Sequence, residues 1–159
     1  MHARPAAPAR PDGGAFVLPC ACGNLRRLTR LVTRLYDLEL RASGLEITQL
    51  GLLAILNTLG EATHKRIAAG LAIDSTTLTR TLGLLRRRGW VDGRAGPDRR
   101  ERVYRLTAPG RARLRRARPG WERAQARLHG IIGDAQWLAL LEATTSATAR
   151  LAAGTTPDS

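Results

Sequence analysis

Residues 64–107 read HKRIAAGLAIDSTTLTRTLGLLRRRGWVDGRAGPDRRERVYRLT, and this stretch decides the fold. At 64–71 a short amphipathic helix is expected, with Ile67, Ala68 and Leu71 turned inward and Thr63 as its cap. Ala72, Ile73 and Asp74 form a turn. Asp74 or Ser75 then caps a second helix over 75–88. Gly89 stops it. A short strand is expected at 90–94, and Ala95, Gly96, Pro97 and Asp98 carry turn chemistry. The return strand is 102–106, with Val103 and Leu106 apolar and Arg102 and Arg105 polar.

These are the parts of a winged helix-turn-helix, a DNA-reading arrangement with a two-stranded β wing. A helix turns about 100° per residue, so the second helix can be laid out by arithmetic. Leu78, Leu82 and Leu85 share one stripe and should face the core. Thr76, Arg80, Gly83 and Arg87 fall opposite, with Ser75, Thr77 and Thr79 beside them. Short hydroxyls near a helix start suit phosphates and base edges in a major groove, and an arginine fork at Arg80 suits guanine. Arg86, Arg87 and Arg88 suit phosphates, which position without specifying. Arg99 or Arg100 at the hairpin tip suits the minor groove, with Asp98 orienting an arginine. The DNA-binding set is therefore Ser75, Thr76, Thr77, Thr79, Arg80, Arg87, Arg99 and Arg100.

Outward from this stretch the pattern is helical, and the fold class is mainly α. Leu25, Leu28, Leu31, Leu35 and Leu38 recur at three- and four-residue spacing over 23–42, and Gly44 suits a left-handed end. A central helix is expected over 48–59, capped by Thr48 and apolar nearly all round. Thr107 caps a fifth helix with Pro109 in its first turn. Pro119 and Gly120 are expected to break or kink it, with helix resuming at Trp121. Asp134 is expected to cap a last helix ending near Ala152. The organisation is then a flexible tail at 1–19, an N-terminal dimerisation helix at 20–47, the DNA-binding domain at 48–107, C-terminal dimerisation helices at 108–153 and a frayed tail at 154–159.

The charge supports a polyanionic partner. Of 159 residues, 26 are basic and 13 acidic, a formal net charge of +13. Every basic residue except Lys65 is arginine, which a GC-rich genome also favours. Double-stranded DNA is the expected partner; RNA ranks beside it on charge, and both come before an anionic membrane. No run of about 18 apolar residues occurs, so no membrane span is expected, and the cytoplasm is the expected compartment. There is no glycine-rich phosphate loop, metal-ligand cluster or nucleophilic triad, so neither an enzyme nor a cofactor is expected. An architectural protein that coats DNA by charge alone is the alternative.

The segment from 22 to 151 resembles the MarR family of bacterial transcriptional regulators. The motifs are LEITQ at 45–49, DSTTLTR at 74–80, RRGWV at 87–91, and DRR at 98–100 followed by YRLT at 104–107 and Gly110. The resemblance implies a homodimer whose first and last helices intertwine, DNA contacts at Thr76, Thr79, Arg80, Arg99 and Arg100, and repression of a palindromic operator. It also implies release by a small aromatic acid or by oxidation. Cys20 and Cys22 stand at a helix start near Arg26 and Arg27, a setting for reactive thiols. They also read as incidental thiols at a tail boundary, or as two metal ligands needing His2 or His129. An i, i+2 disulfide within one chain is strained, and a bridge across a dimer is easier. Arg30, Tyr36 and Trp121 read as candidate lining of a ligand pocket, though residues of these types are more often plain core or surface. His64 reads as solvent-facing or phosphate-contacting, and His129 as a helix-surface residue.

Overall fold

The computed structural model describes residues 19–96 and 101–154. Helix α1 (Ala21–Leu40) runs into a 3₁₀ turn at Arg41–Ser43, which Gly44 ends at φ 66°. Then come α2 (Ile47–Leu59), strand β1 (Glu61–Thr63), α3 (His64–Leu71) and α4 (Ser75–Arg87). Strands β2 (Val91–Ala95) and β3 (Arg102–Leu106) precede α5 (Ala108–Ile132) and α6 (Asp134–Gly154). The sheet is antiparallel in the order β1-β3-β2.

The core lies where α2 crosses the helix-turn-helix. Leu52, Leu53 and Leu56 of α2 meet Ile67 of α3 and Leu78, Leu82 and Leu85 of α4, all buried. The leucine stripe expected of the second reading helix is thus the face that packs. Thr63 caps α3 as expected, its Oγ1 accepting from the Arg66 N–H at 3.3 Å. Thr107 caps α5 in the same way, accepting from Gly110 N–H at 3.0 Å.

Four expectations are corrected. Thr48 does not cap α2: the helix begins one residue earlier, and Ile47 N–H donates to Asp37 Oδ1 at 2.7 Å. The sheet has a third strand, because Ala62 pairs with Tyr104 across β3. Residues Pro119 and Gly120 do not interrupt α5, which is one helix of 25 residues. A proline inside a helix costs about 3 kcal/mol, and the packing of the same stretch offsets it. Ala117, Gly120, Ala124 and Leu128 form one buried stripe, while Pro119 faces outward. Asp134 lies inside the first turn of α6 rather than before it, and its carboxylate pairs with His129 Nε2 at 2.8 Å. His129 is half-buried, its ring 5.3 Å from that of Trp137. Smaller shifts move β2 one residue on, leaving Trp90 in the core, and end α4 at Arg87.

Glu39 ties α1 to α5. It accepts from Arg123 Nε at 3.2 Å and Arg127 Nη1 at 3.1 Å. Those hydrogen bonds hold its carboxyl below the ordinary Glu value. A carboxylate whose folded pKa is depressed contributes stability above its unfolded pKa and loses it as pH falls through the folded one. The urea midpoint should therefore fall on acidification from about pH 5 to pH 3. Glu39→Gln should flatten that fall, and an unchanged pH profile would remove Glu39 as a source of it.

Candidate nucleic-acid interface

Helix α4 starts from a tightly bonded cap. Asp74 Oδ1 accepts from Thr77 N–H at 2.9 Å and Oδ2 accepts from Thr77 Oγ1 at 2.7 Å. These bonds hold the Asp74 carboxyl below its ordinary value. A carboxylate at a helix N-terminus also meets the positive end of the helix dipole. The cap and the three buried leucines fix how α4 presents its other face.

On that face Ser75, Thr76, Thr77, Thr79, Arg80 and Arg87 are all exposed. The structure brings together Thr77, Thr79, Arg80 and Arg87, which line an open groove of about 470 Å³. Gly83 lies between them with no side chain to fill it. Among the described residues neither Arg80 nor Arg87 has an ion-pair partner, so both guanidinium groups are available to an anion. Thr77 differs from its neighbours because its hydroxyl proton is committed to Asp74. The start of α2 forms the far wall of the groove, with Glu46, Thr48 and Gln49. Nothing in their spacing announced this role, since it depends on where the start of α2 lies beside α4. Gln49 donates to Glu46 Oε2 at 3.1 Å and accepts from Arg88 Nη1 at 3.3 Å, linking the start of α2 to the end of α4. Arg88 also lies 4.9 Å from the Trp90 ring centre, so it is engaged in the fold, while Arg87 has no ion-pair partner among the described residues.

The wing is described up to its base. Gly96 N–H donates to Glu101 O at 2.8 Å, closing the described ends of β2 and β3. Arg94 reaches Glu61 at 2.6 Å, and Arg105 reaches Asp92 at 3.4 Å, bracing the three strands on their exposed face. Exposed pairs of this kind contribute little to stability. Asp98, Arg99 and Arg100 lie outside the described residues.

The residues expected at a ligand pocket do not share one. Tyr36 is buried, its hydroxyl donating to Gln125 Oε1, and burial pushes its phenol pKa up. Arg30 sits instead on a shallow surface beside Cys22, Leu25 and Arg26. Trp121 lines a third place, a cleft of about 490 Å³ between α2 and α5 with Leu50, Ala54, Leu114 and Arg115. Cys20 precedes α1 and Cys22 lies in its first turn; both thiols are exposed and free. Among the described residues no cluster of His, Cys, Asp and Glu could hold a metal ion. No single described helix is long and apolar enough to cross a membrane.

Over residues 47–110 the sequence matches the family described as winged helix DNA-binding domain. YwoH of Bacillus subtilis (strain 168), an uncharacterized HTH-type transcriptional regulator, is 35% identical over 83 residues. That match spans 52% of this chain and 61% of the relative, so the chain covers less than two thirds of it. The M. tuberculosis transcriptional regulator MosR, in a crystal structure with DNA, is 37% identical. The match covers 86% of this chain and 98% of that one, with a TM-score of 0.77. The chain belongs to the MarR family of transcriptional regulators. A MarR-family regulator from Rhodococcus sp. RHA1 shares the fold at 20% identity and a TM-score of 0.71, over 82% of this chain and 96% of its own. This MarR-family protein is a DNA-binding transcriptional regulator.

Proposed function

We propose that the protein is a homodimeric repressor that binds a palindromic operator with two copies of the α4 groove. The observation that carries this reading is the pair of arginines with no ion-pair partner among the described residues, Arg80 and Arg87, set with Thr79 on a helix whose opposite face is locked in the core. In this reading Ser75, Thr76, Thr77, Thr79 and Arg80 meet bases and phosphates in the major groove. Arg87 meets phosphate, and the wing arginines Arg99 and Arg100 reach the minor groove. The site of action is then the cytoplasm, with the DNA.

The second copy is supported by what one chain leaves uncovered. Leu25, Leu28, Leu31 and Leu38 of α1, Ile131 of α5, and Leu138 and Leu141 of α6 are exposed. Exposed apolar side chains in that number suit an association site, and a twofold pair covers them on both partners. A twofold dimer sets half-sites about 34–36 Å apart, one turn of DNA. Sedimentation should give twice the chain mass, and footprinting should give two protected half-sites.

The test is binding to the intergenic DNA beside the protein's own coding region, against random DNA at the same salt. Strong preference supports the repressor reading, and equal binding supports a DNA-coating protein instead. Arg87→Ala is expected to weaken binding to every sequence alike and to reduce the slope of log K on log salt by about 1. A loss confined to one base pair would show that Arg87 reads sequence.

Release has two physical routes here. The α2–α5 cleft sets Trp121, Leu50 and Leu114 against Arg111 and Arg115, which suits a small aromatic acid. The exposed Cys20 and Cys22 suit peroxide, which takes two electrons and two protons from two thiols and leaves as water. DNA release by peroxide that reductant reverses, and that Cys22→Ser abolishes, assigns the thiols. Release by an aromatic carboxylate that Trp121→Ala abolishes assigns the cleft.

A further inference from the structure

His64 opens α3, directly after the Thr63 cap, and is half-buried. Its Nε2 lies 3.1 Å from Oγ1 of Thr79, which is exposed on the groove face of α4. The contact spans the turn of the helix-turn-helix. It joins a titratable ring to a hydroxyl in the DNA-reading set. A threonine hydroxyl has one proton and two lone pairs. A bare Nε2 accepts the Thr79 proton, and the outward oxygen then can only accept, which suits adenine N6 or cytosine N4. A protonated Nε2 donates instead, and Thr79 keeps its proton for guanine O6 or N7, thymine O4 or a phosphate. Thr77 lacks this choice, since its proton already goes to the Asp74 carboxylate.

We propose that His64 is a positioning residue for base recognition. It fixes the rotamer of the Thr79 side chain and sets whether its hydroxyl meets the DNA as donor or acceptor. The proposal rests on α4 being the recognition helix.

The experiment is selection of binding sites from randomised duplexes by the full chain. The variants are His64→Leu, His64→Gln, Thr79→Val, the Leu/Val double and, as a reference, Arg80→Ala. His64→Leu and Thr79→Val should change preference at the same base pair, each by roughly 2- to 12-fold, the worth of one neutral hydrogen bond. The double variant should be no worse than Thr79→Val alone. His64→Gln, whose amide can donate or accept, should keep a preference at that base pair. Thr79→Val alters an exposed residue, so its effect is readable even if His64→Leu melts early. Equal loss on all sequences for His64→Leu, with a shallower salt slope, would make His64 a phosphate contact and overturn the proposal. Multiplying effects in the double variant would overturn it too, because independent contacts multiply. If Thr79→Val leaves every preference intact while Arg80→Ala shifts one, the proposal falls and the recognition helix stands. If neither shifts any preference, the recognition-helix reading falls as well.

Discussion

Arg80→Ala is expected to lower operator affinity by about 1–3 kcal/mol, roughly 5- to 150-fold, and to abolish preference at one base pair. The expectation comes from how α4 is seated. Leu78, Leu82 and Leu85 are at most 2% exposed, so the helix cannot roll about its axis without opening the core. Arg80 then has one direction to extend, into the groove it shares with Thr79 and Arg87. It makes no ion pair among the described residues, so its alanine variant should leave stability nearly unchanged. A guanidinium fork matches guanine O6 and N7 in a way a point charge does not. Arg88 gives the contrast, because it bonds Gln49 and lies over Trp90. Removing Arg88 should lower the melting temperature, whereas removing Arg80 should not. The measurement is equilibrium binding to operator and to random DNA at one salt concentration. Equal losses on the two would end the base-reading assignment of Arg80.

The reading head was legible from the chain because its signals are local. Thr63 before His64, and Asp74 before Ser75, are side-chain caps that act within three residues. The Leu78, Leu82 and Leu85 stripe is the same arithmetic in sequence and in space. What escaped depends on distant partners. Glu61, Ala62 and Thr63 are too short a run to announce a strand, and they are one because β3 offers them an edge. Pro119 announces a break by local rule, yet Gly120 is pressed against the backbone of Glu39 on α1, and the stripe around it keeps α5 continuous. Within one chain the three ligand-lining candidates lie apart. Arg30 and Tyr36 are six residues apart, about 120° around a helix, and Arg30 is exposed where Tyr36 is buried. Trp121 faces the opposite partner, α2. The groove wall at Glu46 and Gln49 likewise depends on where the start of α2 lies beside α4, and no spacing in α2 encodes it.

Gly110→Ala should be the most damaging single-methyl change to the fold. A Cβ at Gly110 would stand 2.0 Å from the carbonyl oxygen of Trp90 and 2.9 Å from its carbonyl carbon. Both are backbone atoms, so no rotamer change relieves the clash. Nor can the Trp90 carbonyl swing away freely, because it accepts from Thr107 N–H at 3.1 Å. Thr107 in turn donates its hydroxyl to Gly89 O at 2.7 Å and accepts from Gly110 N–H. The start of α5 is thereby locked against the start of β2, and the methyl must break that lock or displace the helix. Alanine is the better helix former by about 1 kcal/mol. Overpacking of this kind costs about 1–3 kcal/mol, occasionally more, and the upper end applies where only backbone can yield. The clash outweighs the propensity. A net loss of about 2 kcal/mol lowers Tm by roughly 4–8 °C in a chain of this length. Gly130 supplies the control, since it lies in the same helix with nothing within 4 Å of its Cβ position. Gly130→Ala should therefore raise stability by about 0.5–1 kcal/mol. Urea melts of the two variants side by side decide the matter. If Gly110→Ala melts at or above the wild type, α5 does not meet Trp90 in this register, and the joint between the wing and the long helix must be redrawn.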